Sequence, residues 1–117
     1  MIPLEKTTQT TPRDIVITNA VFTHGNLEAW MNIIQSYQRL HPEHQVVILY
    51  EGEEVNNLMS FFKLEKSPNR QGFQLVVNAP DGHRKDVPKL YRLLVDGAGP
   101  NYERYLGKEV FKVLNLF

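Results

Sequence analysis

Gln45-Val46-Val47-Ile48-Leu49-Tyr50 is apolar almost without a break, and its reading decides the fold. A β-branched run with no polar alternation predicts a strand covered on both faces, as at the centre of a parallel sheet. Upstream, Leu27, Trp30, Met31 and Ile34 recur at i, i+3, i+4 and i+7, and Ile33, Tyr37 and Leu40 widen the same side. That spacing predicts an amphipathic helix. Asn26 reads as its N-cap, because a side-chain oxygen there accepts an otherwise unpaired first-turn amide. Pro42 ends the helix by disfavouring helical geometry at His41. Before it, residues 14–23 carry the β-branched run Ile15-Val16-Ile17, which suits a largely buried strand. Strand, helix and strand together predict a βαβ unit.

Downstream, Glu51-Gly52-Glu53-Glu54 leads to Val55, Leu58, Met59 and Phe62 at helical spacing. The carboxylates suit the positive end of a helix dipole, so a second helix is predicted over about 53–63. Residues 67–72 read as a loop and Phe73–Asn78 as a third strand. Pro80-Asp81-Gly82 forms a turn that folds residues 83–87 back as a short edge strand. Asp86 before Val87-Pro88 opens a helix that Gly97 stops, although residues 90–95 also read as a strand. Asn101 caps a last helix in which Tyr102, Tyr105, Leu106, Val110, Val113 and Leu114 form a stripe interrupted by Gly107.

The order β-α-β-α-β-(β)-α-α predicts one small α/β domain over residues 14–117, after a leader over 1–13. Its sheet is expected to be mostly parallel and flanked by helices. A thioredoxin-like or small doubly wound arrangement fits this order, and a ferredoxin-like α+β arrangement fits if 90–95 is a strand.

Composition narrows the function classes. Of 117 residues, 42% are hydrophobic and 22% charged, which is globular usage rather than that of a disordered chain. There is no cysteine, which excludes disulfides, thiolate metal sites and cysteine nucleophiles. No run of about 18 apolar residues and no signal peptide is found, so a cytoplasmic protein without membrane contact is expected. The net charge is zero but unevenly spread. Residues 1–62 carry −4 and residues 63–92 carry +4, an asymmetry that can favour head-to-tail contact.

In a parallel sheet, ligands gather beyond the carboxyl ends of the strands. This rule selects His24, Asn26, Tyr50, Glu51, Asn78, Asp81 and His83 as ligand-binding candidates. His24 and Glu51 are the catalytic candidates, the imidazole as acid or base near neutral pH. His41 and His44 read as solvated side chains at a helix exit, and no metal site or cofactor is expected. No Gly-x-Gly-x-x-Gly or Walker-type loop occurs. Lys63, Lys66, Arg70, Arg84, Lys85, Lys89 and Arg92 form a basic patch without interleaved aromatics or net positive charge, so nucleic acid is the weaker expectation. Phe61, Phe62, Leu116 and Phe117 exceed the needs of one core-facing stripe and predict an interface with a protein partner or a second copy. The expected function is therefore a non-catalytic, self-associating interaction domain. A small hydrolase or transferase using His24 and Glu51 is the alternative, and weak nucleic-acid binding the third.

Overall fold

The computed structural model describes residues 9–18, 22–55, 72–82, 84–106 and 116–117. Among them, β1 (Arg13–Asp14), α1 (His24–Leu40), β2 (Gln45–Tyr50), β3 (Glu53–Glu54), β4 (Phe73–Asn78) and α2 (Val87–Gly97) follow in order, and a 3-10 helix spans Tyr102–Tyr105. The strands form one sheet in the order β1-β4-β2-β3. Every pairing in it is antiparallel. This overturns the mostly parallel sheet, and with it the thioredoxin-like and doubly wound readings. The condition for the ferredoxin-like alternative fails too, because residues 90–95 lie inside α2.

The physical reason lies just past the deciding run. Glu51 and Gly52 both adopt positive φ, at 52° and 86°, and Tyr50 pairs with Glu53. This is a two-residue hairpin turn with left-handed geometry at both central positions, the conformation for which glycine is favoured. Glu53 and Glu54 therefore return as β3 instead of opening a helix, the Val55 amide donates to the Ile48 carbonyl at 2.8 Å, and residues 56–63 of the predicted helix lie outside the described residues. A hairpin needs two residues where a parallel neighbour needs a crossover.

The unbroken apolar run also divides by face. Val46, Ile48 and Tyr50 stand opposite Val77, Leu75 and Phe73, and these six share the core with the helices. Val47 and Leu49 lie half-buried on the opposite face. Of the strand predicted over 14–23, the ladder pairing among the described residues is at Arg13–Asp14, beside β4 and two positions away from β2. Beyond it Ile15 and Ile17 enter the core while Val16 is exposed. Gln9 bridges Asn78, and the Thr10 amide donates to the Val77 carbonyl at 3.0 Å, so part of the stretch read as leader runs along β4.

Helix α1 starts earlier than predicted. Its N-cap is Thr23, and Asn26 is the third helical residue of a capping box. Its buried face is Leu27, Ala29, Trp30, Ile33 and Tyr37, while Met31 and Leu40 of the expected stripe are exposed. Trp30 sits at the centre, edge-on to Phe73 at 5.1 Å and 5.0 Å from Phe22. The Trp30 indole N–H donates to the Leu94 carbonyl at 2.8 Å, locking α1 to α2. Of the last predicted helix, residues 101–106 and 116–117 fall among the described residues, and the helical turn there is the 3-10 helix Tyr102–Tyr105.

Gly25 marks a tight approach in the first turn of α1. A Cβ there would lie 2.3 Å from Tyr102 Cε1. Gly25→Ala is expected to cost roughly 1–3 kcal/mol. Because Tyr102 is only half-buried, adding Tyr102→Ala should relieve the clash, so that the two substitutions together cost less than their sum. A double-mutant cycle of denaturant midpoints reads this coupling.

Candidate functional site

The chemistry-bearing side chains converge where α1 ends, not at the strand ends selected from sequence. Tyr37 precedes His41 by one helical turn, and Pro42 turns the chain so that His44 folds back beside both. The His41 and His44 rings stack at 4.6 Å, with 16° between their planes. His41 Nε2 lies 2.8 Å from Asp86 Oδ2, His44 Nε2 lies 3.0 Å from Asp81 Oδ1, and His44 Nδ1 lies 2.8 Å from the Tyr37 hydroxyl. Carboxylates only accept, so each Nε2 donates to its aspartate, and in the neutral ring this leaves His44 Nδ1 to accept from the Tyr37 hydroxyl.

Around this cluster Gln38 joins helix to sheet. Its amide donates to the His44 carbonyl at 2.7 Å, and its oxygen accepts the Val46 amide at 3.0 Å. Phe117 closes the side, edge-on to Tyr37 at 5.4 Å.

A line of carboxylate, imidazole and hydroxyl resembles a proton relay. Here it ends on a phenol that is 0% exposed. Burial first, and then the charges of Asp86 and Asp81, push the Tyr37 phenol up from its ordinary 10.0 to about 12. A proton held that firmly is not available for acid–base work near neutral pH. The cluster fastens the loop between β4 and α2, which carries Asp81 and Asp86, to the exit of α1. No group of three or more histidine, aspartate or glutamate side chains is placed to hold a metal ion among the described residues.

Tyr105 is a second buried phenol, raised from 10.0 to about 12 by burial and by its hydrogen bond to Asp96. For both tyrosines the folded pKa lies above the unfolded one, so the folded state binds more protons between the two values. Their contribution to stability is full below pH 10 and is lost as pH rises towards 12. Denaturant midpoints measured across that window are expected to fall, with phenolate absorbance appearing as the protein unfolds. Tyr37→Phe and Tyr105→Phe should each flatten the decline.

The structure separates the other sequence candidates. His24 is exposed in the first turn of α1, and Glu51 is exposed in the hairpin turn. With the sheet antiparallel and β4 between β1 and β2, the loops beginning at residues 23 and 50 are not joined by a common carboxyl-end rim, and the reason for pairing His24 with Glu51 is gone. Tyr50 packs on Phe73 at 5.0 Å. Asn78 ends β4 with a buried Oδ1 that has no hydrogen-bond partner among the described residues. Asn26, expected to cap, is fully buried and also donates from Nδ2 to the carbonyls of Gly97 and Gly99, at 2.8 and 3.1 Å. Asp86 makes no side-chain cap to α2, its carboxylate being held by His41.

Leu116 and Phe117 are half-buried against the core. Phe61, Phe62, Lys63, Lys66, Arg70 and His83 lie outside the described residues. The Tyr37, His41 and His44 group was missed, although Tyr37 and the two histidines after it bracket the helix exit at spacings that bring their rings together.

A cavity of about 420 Å³ opens on the other side of α2, lined by Thr10, Thr11, Pro12 and Arg13 of the N-terminal segment, Leu75 of β4, and Arg84, Val87, Pro88 and Tyr91. The Arg13 guanidinium lies 4.1 Å from the centre of the Tyr91 ring. The Tyr91 hydroxyl donates to the Asp14 carbonyl at 2.7 Å. Neither arginine has a carboxylate partner among the described residues. The cavity thus combines an apolar floor with two unpaired cations.

No helix among the described residues is long and apolar enough to cross a membrane. No solved structure matches the chain. A protein of Treponema pallidum (strain Nichols), named as an uncharacterized protein, is 33% identical over 103 residues, which is 88% of this chain and 29% of that protein. The chain therefore spans less than a third of the relative's length. A family model described as the uncharacterised Treponema protein C-terminal domain matches residues 7–104, and the chain belongs to that family.

Proposed function

We propose that this domain is a non-catalytic protein-interaction module that associates with copies of itself through the two edges of its sheet. The observation that carries the reading is the opposite charge of those edges. At one edge Arg13 of β1 and Arg84 of the loop before α2 are exposed beside one cavity, the neighbouring Asp14 carboxylate accepts from the Gln74 amide, and Asp86 is taken up by His41. At the other edge of the described sheet, the hairpin tip presents Glu51, Glu53 and Glu54, all exposed. None of these three carboxylates has an ion-pair partner among the described residues. Opposed fields of this kind steer copies into head-to-tail encounter. The polar cluster at the end of α1 supports the same reading from the other direction, since its groups are engaged with one another and its phenol is sealed from solvent.

Sedimentation velocity tests it. From low micromolar to near-millimolar protein at low ionic strength, the mean mass should rise, and added salt should return it towards the monomer. A chain that stays monomeric throughout that range at low salt would remove the reading.

A further inference from the structure

We propose that the cavity between the N-terminal segment and α2 is the receptor for the acidic hairpin tip, Glu51–Glu54, of a second copy of this chain; this rests on the self-association reading. Three features of the cavity point to a carboxylate-bearing occupant. Its lining contains two arginines and no aspartate or glutamate. Arg13 is steadied over Tyr91, which is itself anchored to the Asp14 carbonyl. A guanidinium held in place before its partner arrives forms its forked pair with a carboxylate at a lower cost in ordering.

The walls supply the rest. Leu75, Pro12, Val87 and Pro88 give apolar contact for the stem of a long acidic side chain, and Thr10 and Thr11 add hydroxyl groups at the rim. A pocket of this size suits a few side chains rather than a folded surface. Asp14 is the nearest acidic group on β1, and its carboxylate accepts from the Gln74 amide at 3.0 Å.

The hairpin tip has the matching shape and charge. Glu51 and Gly52 form the turn, Glu53 and Glu54 follow it, and all four are exposed. Pairing to β2 holds the tip in one conformation. Receptor and tip stand at opposite edges of a single sheet, three strand spacings or about 14 Å apart. One contact therefore leaves a free cavity at one end of the pair and a free tip at the other. Growth is head-to-tail and open-ended, not a closed two-fold dimer.

The test uses two double variants of the full chain. Arg13→Gln with Arg84→Gln disables the cavity, and Glu53→Gln with Glu54→Gln disables the tip. All four positions are exposed, and unchanged thermal melting checks that both variants fold. Each alone is expected to lose self-association by about tenfold or more at low salt. Mixed together, they are expected to form a one-to-one pair that grows no further, because one contributes the only working tip and the other the only working cavity. A synthetic peptide of residues 49–55 should inhibit assembly of the wild-type chain and perturb the amide resonances of Thr10, Thr11 and Tyr91.

If the wild-type chain assembles and both double variants assemble equally well, this assignment falls while self-association through another surface stands. If the wild-type chain is monomeric, both fall. In that case, binding of the peptide at the cavity would reassign it to an acidic segment of a different protein.

Discussion

Replacing Asn26 with alanine is expected to lower stability by about 3–5 kcal/mol, a large share of what a domain of this size has. The side chain closes two structures at once. Its Oδ1 accepts from the Thr23 amide at 2.9 Å and from the Thr23 hydroxyl at 3.0 Å, and Thr23 Oγ1 accepts the Asn26 amide at 3.2 Å. That is a capping box, whose loss alone costs about 1 kcal/mol. Its Nδ2 meanwhile supplies both hydrogen bonds to the carbonyls of Gly97 and Gly99, where α2 ends. Two buried acceptors left without a donor cost about 1–3 kcal/mol each. Thr23→Ala, which removes only the cap, should cost about 1 kcal/mol. Asn26→Asp should be at least as damaging as alanine, since it keeps the cap but sets a carboxylate against two carbonyl oxygens. Urea midpoints for the three variants separate the contributions. Equal losses for Asn26→Ala and Thr23→Ala would reduce Asn26 to a cap.

That residue also shows what local pattern contains and what it leaves out. The cap at the start of α1 was legible to within three residues, because Thr23 and Asn26 are both capping types. The carbonyls that make Asn26 expensive to replace lie 71 and 73 residues further along, and no local periodicity points to them. The same holds for His41 with Asp86 and His44 with Asp81, separated by 45 and 37 residues.

Strand positions at 45–50 and 73–78 and the helical spacing after residue 26 follow from side-chain period and turn residues. Strand direction does not, because an unbroken apolar run suits a doubly covered parallel strand and an antiparallel one alike. The deciding signal was the two residues after Tyr50. Glu51-Gly52 allows a tight hairpin, but the carboxylates at 53 and 54 equally suit a helix start, and pairing along β2 determined the outcome. The choice of strand-end loops as the site inherited that error of direction. The charge asymmetry did not depend on it: Glu51, Glu53 and Glu54 stand at one edge of the sheet and Arg84 stands beside the other, joined there by Arg13 from the otherwise negative half.

The second large effect is expected at His44. His44→Ala should cost about 3–4 kcal/mol, because it opens a void beside Tyr37 and leaves that buried hydroxyl with no acceptor. Its side chain is only 1% exposed, so water cannot take its place without disturbing the packing of Tyr37, His41 and Phe117. Removing the other partner is milder. Tyr37→Phe loses one hydroxyl and leaves His44 Nδ1 unpaired, for about 1–2 kcal/mol. If the penalty lies in the orphaned group rather than in the lost bond, taking both polar partners away together must recover stability. Tyr37→Phe combined with His44→Leu fills the space with apolar atoms and leaves no buried donor unmatched, while Asp81, 40% exposed, keeps access to water. That double variant is expected to be more stable than His44→Ala alone, as read by thermal or urea unfolding. If it were instead the less stable of the two, the bonds themselves would be holding the loop to the helix, and desolvation would be the smaller part of the cost.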